Sequence, residues 1–171
     1  EDIYLSLGGE LSSALAAAHR GFQVENLHLA QPYPGARETL EELRAAGIRL
    51  AAVTSRSRRT SLITLELAGL AAYFSAVVSA EDAPALKPHP APLHRALELL
   101  GAGPATAVMV GDTSHDIAAG RAAGVSTIGV RYGFDRDIAA AGPDAIVDDV
   151  RELPGLIVGE GRIGGRRLAG R

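Results

Sequence analysis

Two carboxylates stand four positions apart in the segment Gly111-Asp112-Thr113-Ser114-His115-Asp116. The apolar run 107–110 before it predicts a buried strand, and residues 114–123 after it predict a helix. This order brings Asp112 to a sheet edge and Asp116 into the first turn of the helix, so that both can converge on one cation. Mg²⁺ favours such carboxylates together with waters and phosphate oxygens. The alternative is a turn residue at Asp112 and a helix-stabilising acid at Asp116, and this segment alone favours neither.

A second candidate is Lys87, in Leu86-Lys87-Pro88-His89-Pro90. The two prolines keep the segment extended and prevent a helix. An ammonium group held there can reach across a sheet edge to neutralise phosphate oxygens and nearby carboxylates. A solvated surface lysine is the usual alternative. Lys87 is the only lysine in the chain, whose other cationic side chains of fixed charge are all arginines, and this weakens the surface interpretation.

The third candidate is Thr54-Ser55-Arg56, which directly follows the apolar run 48–53. A hydroxyl and successive backbone N–H groups at the end of a strand can cradle a phosphoryl group. We therefore take Thr54, Ser55 and Arg56 as candidate phosphate-binding residues. The alternative is an ordinary helix N-cap, a position that Ser and Thr favour.

The elements that position these residues alternate between strand and helix. Strands are predicted at 48–53, 76–78, 107–110, 127–130 and 145–147, and helices at 11–20, 36–46, 61–68, 91–100, 114–123 and 150–157, the last interrupted by Pro154. Alternation with short loops predicts an α/β fold, a doubly wound and mostly parallel sheet with helices on both faces. Such sheets bind ligands at the carboxyl ends of their strands, where Thr54 and Asp112 stand.

Taken together, the three motifs resemble those of the haloacid dehalogenase-like hydrolases, in the branch of phosphoglycolate phosphatase. The resemblance runs from about Pro32 to Ile157 and includes Pro34-Gly35, where those enzymes return from a helical cap to the core. It implies that Thr54 binds the transferring phosphoryl group, that Lys87 neutralises charge, and that Asp112 and Asp116 hold Mg²⁺. It also implies a small phosphorylated substrate.

The first motif of that family, Asp-x-Asp-Gly-Thr on the opening strand, does not occur in the sequence. Its first Asp attacks phosphorus and its second carries a proton. Asp135 and Asp137 have the right separation, but no apolar strand leads into them and no Gly-Thr follows, so we reject them as a substitute. In the family this strand lies between the strands that end in Thr54 and Asp112. Without it we expect either a gap of roughly twice the 4.8 Å strand spacing or a new pairing.

The economical interpretation is that Glu1 lies partway through the cap and that the opening of the protein lies upstream. Residues 1–31 are then a remnant of a helical cap, residues 32–158 a core without its first strand, and residues 159–171 a disordered basic tail. A basic arm that binds a partner is the alternative for the tail.

Bulk composition excludes several classes of protein. With 171 residues, 47% of them hydrophobic and 22% charged, the chain is typical of a globular domain. A formal charge of −3 gives no reason to expect nucleic-acid or membrane binding. The absence of cysteine excludes disulfides, zinc thiolates and a cysteine nucleophile. A cytoplasmic protein is the simplest interpretation.

Three functions remain open. The leading hypothesis is a Mg²⁺-dependent phosphatase of small phosphomonoesters that acts through a phosphoaspartate, with this chain inactive for lack of the nucleophile. Inorganic pyrophosphatase, or phosphonate and haloacid chemistry, is possible within the same class. The alternative from another class is a non-catalytic member that binds phosphate or a partner protein. A response-regulator-like domain is disfavoured because no Asp closes a strand ahead of Thr54.

Overall fold

A computed structural model of the chain describes residues 30–159, the single residues Gly21 and Leu27, and the backbone of residues 162–163 and 166–167. The helix predicted at 11–20 lies outside the described residues. The same holds for almost all of the predicted cap remnant, residues 1–31. In the predicted basic tail, Arg162–Ile163 pairs antiparallel with Arg166–Arg167, and the side chains there lie outside the description.

Helices and strands alternate along the described core. The helices are α1 (Ala36–Ala45), α2 (Arg58–Leu67), α3 (Ala91–Leu100), α4 (Ser114–Ala122) and α5 (Leu153–Val158). The strands are β1 (Ala51–Val53), β2 (Ala76–Val78), β3 (Val108–Gly111), β4 (Ser126–Val130) and β5 (Ala145–Val147), followed by the short pair β6 (Arg162–Ile163) and β7 (Arg166–Arg167). Within the described residues, no helix is long and apolar enough to cross a membrane.

The helix boundaries follow local chemistry. Gly47 ends α1 in the left-handed conformation at φ 82°, where glycine carries no Cβ penalty, and its N–H donates to the Arg44 carbonyl oxygen. The predicted start of α2 at Ser61 is wrong. The helix begins at Arg58 because the hydroxyl of Ser57 accepts from the Thr60 N–H and caps it.

The predicted interruption at Pro154 is wrong as well. Residues Val150–Glu152 form a short 3₁₀ turn, and Pro154 lies in the first turn of α5, where its missing N–H costs no hydrogen bond. Proline therefore helps to begin this helix rather than to break it.

Strands β1 to β5 form two parallel sheets rather than one, and β6 and β7 pair separately. β1 pairs with β2, aligning Ala51 with Ala76, and the second sheet has the order β3-β4-β5. No pairing joins β1 to β3 among the strands that the structure describes. Of the two outcomes that the sequence predicts, a new pairing of β1 with β3 is therefore not formed among the described strands.

Helices cover both sides of the strand layer. One apolar cluster joins Leu43 of α1 and Ile157 of α5 to β4 and β5, with Val108 and Val110 of β3 packed against it. The other cluster joins α3 and α4 and receives Met109 of β3. Because successive residues of a strand face opposite sides, α1 and α5 lie on one side and α3 and α4 on the other.

A common helical cluster contacts both sheets. Val53 of β1 and Met109 of β3 both pack against the cluster built from α3 and α4. The carboxyl ends of β1 and β3 are thereby held beside each other, although no backbone hydrogen bond connects the two strands.

Candidate functional site

Lys87 connects the ends of β1 and β3. Its ammonium Nζ donates to the Val53 carbonyl oxygen at 2.8 Å, and it lies 2.6 Å from Asp116 Oδ1. The two side chains are only 12% and 6% exposed, so the surface-lysine alternative is wrong. The structure thus brings Lys87, Asp116 and the end of β1 together, as the sequence predicts.

The position of Lys87 depends on the loop before α3. Residues 83–90 form bends and turns rather than a helix or strand, and α3 starts directly after Pro90. The peptide bond between Lys87 and Pro88 is cis. The predicted absence of a helix around the lysine is confirmed, but the predicted extended segment is wrong, because the His89 N–H donates to the Leu86 carbonyl oxygen at 2.9 Å across a turn.

Asp116 serves the helix and the site with different oxygens. Its Oδ2 accepts from the backbone N–H of Thr113 at 3.1 Å and from the Thr113 hydroxyl at 2.8 Å, which completes a capping box at the start of α4. Its Oδ1 is buried and faces Lys87. The angles at this contact are not those of a hydrogen bond, so the contact is an ion pair. The helix-stabilising alternative is correct for one oxygen and leaves the other for the site.

Asp112 is held by the loop that follows β4. Its Oδ2 accepts from the backbone N–H of Phe134 at 2.9 Å, and its own carbonyl oxygen accepts from the backbone N–H of Asp135 at 3.0 Å. No donor among the described residues reaches Asp112 Oδ1. One carboxylate oxygen is therefore fixed and the other is open toward the sheet edge.

Thr54 does not cap α2, since Ser57 has that position. The Thr54 hydroxyl oxygen instead accepts from the backbone N–H of Arg56 at 3.2 Å, which leaves its own proton available for donation. The backbone N–H of Thr54 donates to Val78 of β2 at 2.9 Å. Of the three backbone N–H groups predicted to bind phosphate, only the Ser55 N–H has no acceptor among the described residues.

Ser55 and Arg56 are exposed beside this turn. The Arg56 guanidinium reaches the Thr64 hydroxyl on α2 at 3.5 Å, so the structure gives it a contact away from Lys87 and Asp116. Fewer of the predicted phosphate-binding residues therefore lie together than the sequence suggests. Its strongest members are the Thr54 hydroxyl and the Lys87 ammonium.

The donor set fits a hard cation in part. Asp112 supplies an open carboxylate oxygen, and Asp116 adds a buried one that Lys87 already neutralises. The described residues contain no group of three or more His, Cys, Asp or Glu side chains placed to hold a metal. Mg²⁺ commonly keeps several waters and takes substrate oxygens beside one or two carboxylates, so these two residues suit it as part of a larger set.

Tyr132 is a member of the site region that the sequence analysis missed. Its ring meets that of Tyr33 edge to face, with centroids 4.8 Å apart at 67°. Burial raises the pKa of Tyr132 to about 12, and the charges of Asp149, Asp112 and Glu152 act in the same direction. The signal that could have found it is its place just after the predicted strand 127–130, at the same sheet edge as Thr54 and Asp112.

A cleft of about 380 Å³ opens between the start of α4 and the loop after β4. It is lined by Thr113, Ser114, His115, Phe134, Asp135 and Arg136. Asp135 and Asp137, rejected above as a nucleophile pair, lie in or next to this loop, where the Asp137 N–H donates to Asp135 Oδ1 at 3.2 Å. The cleft adjoins Asp112 through the hydrogen bond from Phe134.

The sequence is similar to those of known proteins. The family model of the haloacid dehalogenase-like hydrolases matches residues 2–130. The plasmid phosphoglycolate phosphatase of Cupriavidus necator is 39% identical over 150 residues, 86% of this chain and 65% of that protein. The pyrophosphatase PpaX of Bacillus velezensis is 34% identical over 155 residues, covering 89% of this chain and 72% of its own length.

A solved structure gives the same picture in three dimensions. The predicted phosphoglycolate phosphatase of Haemophilus somnus superposes with a TM-score of 0.68 at 36% identity, covering 71% of this chain and 55% of that one. The chain spans less than two thirds of the length of this protein and of the Cupriavidus relative.

Proposed function

The chain belongs to the haloacid dehalogenase-like hydrolase family, and on this premise we propose that the whole protein is a Mg²⁺-dependent phosphatase of small phosphomonoesters. The observation that carries the proposal is the pair of contacts made by Lys87, to Val53 at the end of β1 and to Asp116 after β3. These contacts hold the end of β1, just before Thr54, beside the first turn of α4, which carries Asp116. A phosphoglycolate-like ester is the proposed substrate, after the Cupriavidus relative.

Each residue has a separate proposed role. Thr54 donates its hydroxyl proton to a phosphoryl oxygen, and the N–H of Ser55 is the next donor in the same turn. Lys87 neutralises negative charge on the phosphoryl group from a buried position, where a charge acts more strongly than in water. Asp112 presents its open oxygen to Mg²⁺, and Asp116 supports the metal while holding Lys87 in place.

Bound Mg²⁺ would supply charge stabilisation for the phosphoryl oxygens. The attacking carboxylate is proposed to come from an Asp-x-Asp-Gly-Thr segment outside the present sequence, entering between β1 and β3. Attack would form an O–P bond to the first Asp while the ester O–P bond breaks, and the leaving alkoxide would take a proton from the second Asp. Water would then give a proton back to the second Asp and attack phosphorus, which releases inorganic phosphate and restores the first carboxylate.

Inorganic pyrophosphatase is the second candidate, because PpaX pyrophosphatases are relatives at 34–39% identity. The contacts of Lys87 and Thr54 serve either substrate, since both reactions transfer a phosphoryl group. The two functions differ in the leaving group, which is an alcohol for the ester and phosphate for pyrophosphate.

A non-catalytic member that binds phosphate or a partner protein is the third candidate. The observation behind it is the lack of an Asp-x-Asp-Gly-Thr motif in the sequence. It requires the described core to be stable although β1 and β3 do not pair.

The deciding experiment compares the whole protein with residues 1–171 on 2-phosphoglycolate, other small monoesters and pyrophosphate, with and without Mg²⁺. The proposal expects Mg²⁺-dependent turnover of a monoester by the whole protein and none by residues 1–171. Preferential turnover of pyrophosphate would favour the second candidate. Turnover by residues 1–171 alone would show that the nucleophile lies within the present sequence.

A further inference from the structure

The Cα of Gly133 lies against the side chain of Asp112. A Cβ atom at position 133 would overlap the Asp112 Cβ and would lie 2.7 Å from Oδ2 and 2.8 Å from Cγ. Gly133 is not among the glycines with positive φ, so its backbone is open to other residues. Glycine is thus required at this position by the contact with Asp112 and not by the chain conformation.

The two residues after Gly133 hydrogen-bond to both the side chain and the backbone of Asp112. The Phe134 N–H donates to Oδ2 at 2.9 Å, and the Asp135 N–H donates to the Asp112 carbonyl oxygen at 3.0 Å. The Phe134 side chain is 87% exposed, so this residue acts on Asp112 through its backbone. A hydrogen bond to one oxygen restrains the rotation of the carboxylate.

The start of this loop is anchored on the other side. Tyr132 packs edge to face against Tyr33 and belongs to the partly buried rim of the cluster formed by α1, β4 and β5. The loop therefore has a fixed origin, close backbone contact at Gly133 and two N–H donors aimed at Asp112.

We infer that Gly133 is a positioning residue, whose close approach lets the loop hold Asp112 with Oδ2 engaged and Oδ1 presented to a cation. The metal part of this inference rests on the proposed function. The geometric part stands on the contacts of Gly133 and Phe134 alone. A side chain at 133 displaces Asp112, breaks the Phe134 hydrogen bond and turns Oδ1 away.

The test compares Gly133→Ala with Gly103→Ala in the full-length protein. Gly103 is the matched control because a Cβ there meets nothing within 4 Å and its φ of −92° suits any residue. Two quantities are measured: hydrogen exchange at the Phe134 amide by NMR, and Mg²⁺ affinity by calorimetry. We expect Gly133→Ala to speed Phe134 exchange about tenfold or more and to weaken Mg²⁺ binding about 10- to 100-fold. Gly103→Ala leaves both unchanged.

A second pair keeps the inference testable if Gly133→Ala fails to fold. Phe134→Pro removes the N–H donor, whereas Phe134→Ala keeps it and alters only an exposed side chain. Weaker Mg²⁺ binding in Phe134→Pro but not in Phe134→Ala supports the inference, and equal binding in both overturns it.

The outcomes separate this inference from the proposed function. Unchanged Phe134 exchange and Mg²⁺ affinity within about twofold of wild type in Gly133→Ala overturn the positioning role. If wild type and Asp112→Asn bind Mg²⁺ equally, the proposed metal role fails and the metal part of the inference falls with it. Phe134 exchange then still decides whether Gly133 positions the carboxylate.

Discussion

Lys87 Nζ lies 2.6 Å from Asp116 Oδ1, with both side chains almost fully buried. The two residues come from different segments, the loop before α3 and the first turn of α4. Their ion pair is compensated on one side by the Val53 carbonyl oxygen and on the other by the capping box of Asp116 with Thr113. This pair joins the two sheets at the point where the candidate site lies.

Replacing Lys87 by Met should lower the free energy of unfolding by about 3 kcal/mol, because it leaves the buried Asp116 carboxylate without its partner. Urea denaturation measures the effect. Asp116→Asn in the same chain should restore part of the loss, since the amide needs no cation. If the two substitutions changed the free energy of unfolding additively, Lys87 and Asp116 would not be energetically coupled, which would contradict the ion pair.

Replacing Thr54 by Val should lower kcat/KM of the whole protein by about 100-fold, the usual cost of one lost donor to a developing oxyanion. Val keeps the shape and removes only the hydroxyl. Thr54→Ser is the matched control and should stay within a few-fold of wild type. If Thr54→Val and Thr54→Ser were equally active, the hydroxyl would have no part in phosphoryl binding.

Replacing Gly111 by Ala should destabilise the protein by about 1–3 kcal/mol, the usual cost of overpacking. A Cβ at this position would overlap the Asp116 Cβ and lie 2.7 Å from Oδ2. The same change at Gly103, where the Cβ meets nothing within 4 Å, should be neutral or slightly stabilising. Thermal unfolding of the two variants measures the difference, and equal melting temperatures would contradict the contact.

Tyr132 should make the protein sensitive to alkali. Its pKa is raised from 10.0 to about 12, first by burial. A folded-state pKa above the unfolded one means that the stabilisation is complete below pH 10 and is lost as the pH rises through 12. Tyr132→Phe keeps the ring contact with Tyr33 and should flatten stability over that window. An unchanged pH profile of unfolding in Tyr132→Phe would place the titrating group elsewhere.

Much of the fold follows from short apolar runs bounded by turn residues. The predicted strands 76–78 and 145–147 and the helix 91–100 have the same bounds in the structure. The start of α2 was missed because Thr54, Ser55 and Ser57 are all competent caps. Only the three-dimensional course of the chain decides that Ser57 reaches the Thr60 N–H.

Thr54, Lys87, Asp112 and Asp116 of the candidate site could be proposed from the sequence, whereas Tyr132 and the contacts within the site could not. Thr54 and Asp112 follow predicted strands, and parallel strands end at one edge of a sheet. Lys87 stands out because prolines follow it at positions 88 and 90. The hold of Gly133 and Phe134 on Asp112 spans 22 positions, and no local pattern records which backbone N–H a carboxylate will meet. For the same reason, the sequence does not reveal that one Asp116 oxygen caps α4 and the other pairs with Lys87.

The most direct test of the central claim is Mg²⁺-dependent hydrolysis of a small phosphomonoester by the whole protein, comparing wild type with Asp112→Asn. Asn keeps the shape and can still accept from the Phe134 N–H, but it lacks the charge that a divalent cation needs. The account predicts that Asp112→Asn loses at least about 100-fold in kcat/KM and that chelation abolishes wild-type turnover. Wild-type activity that survives chelation, or an Asp112→Asn variant as active as wild type, would contradict it.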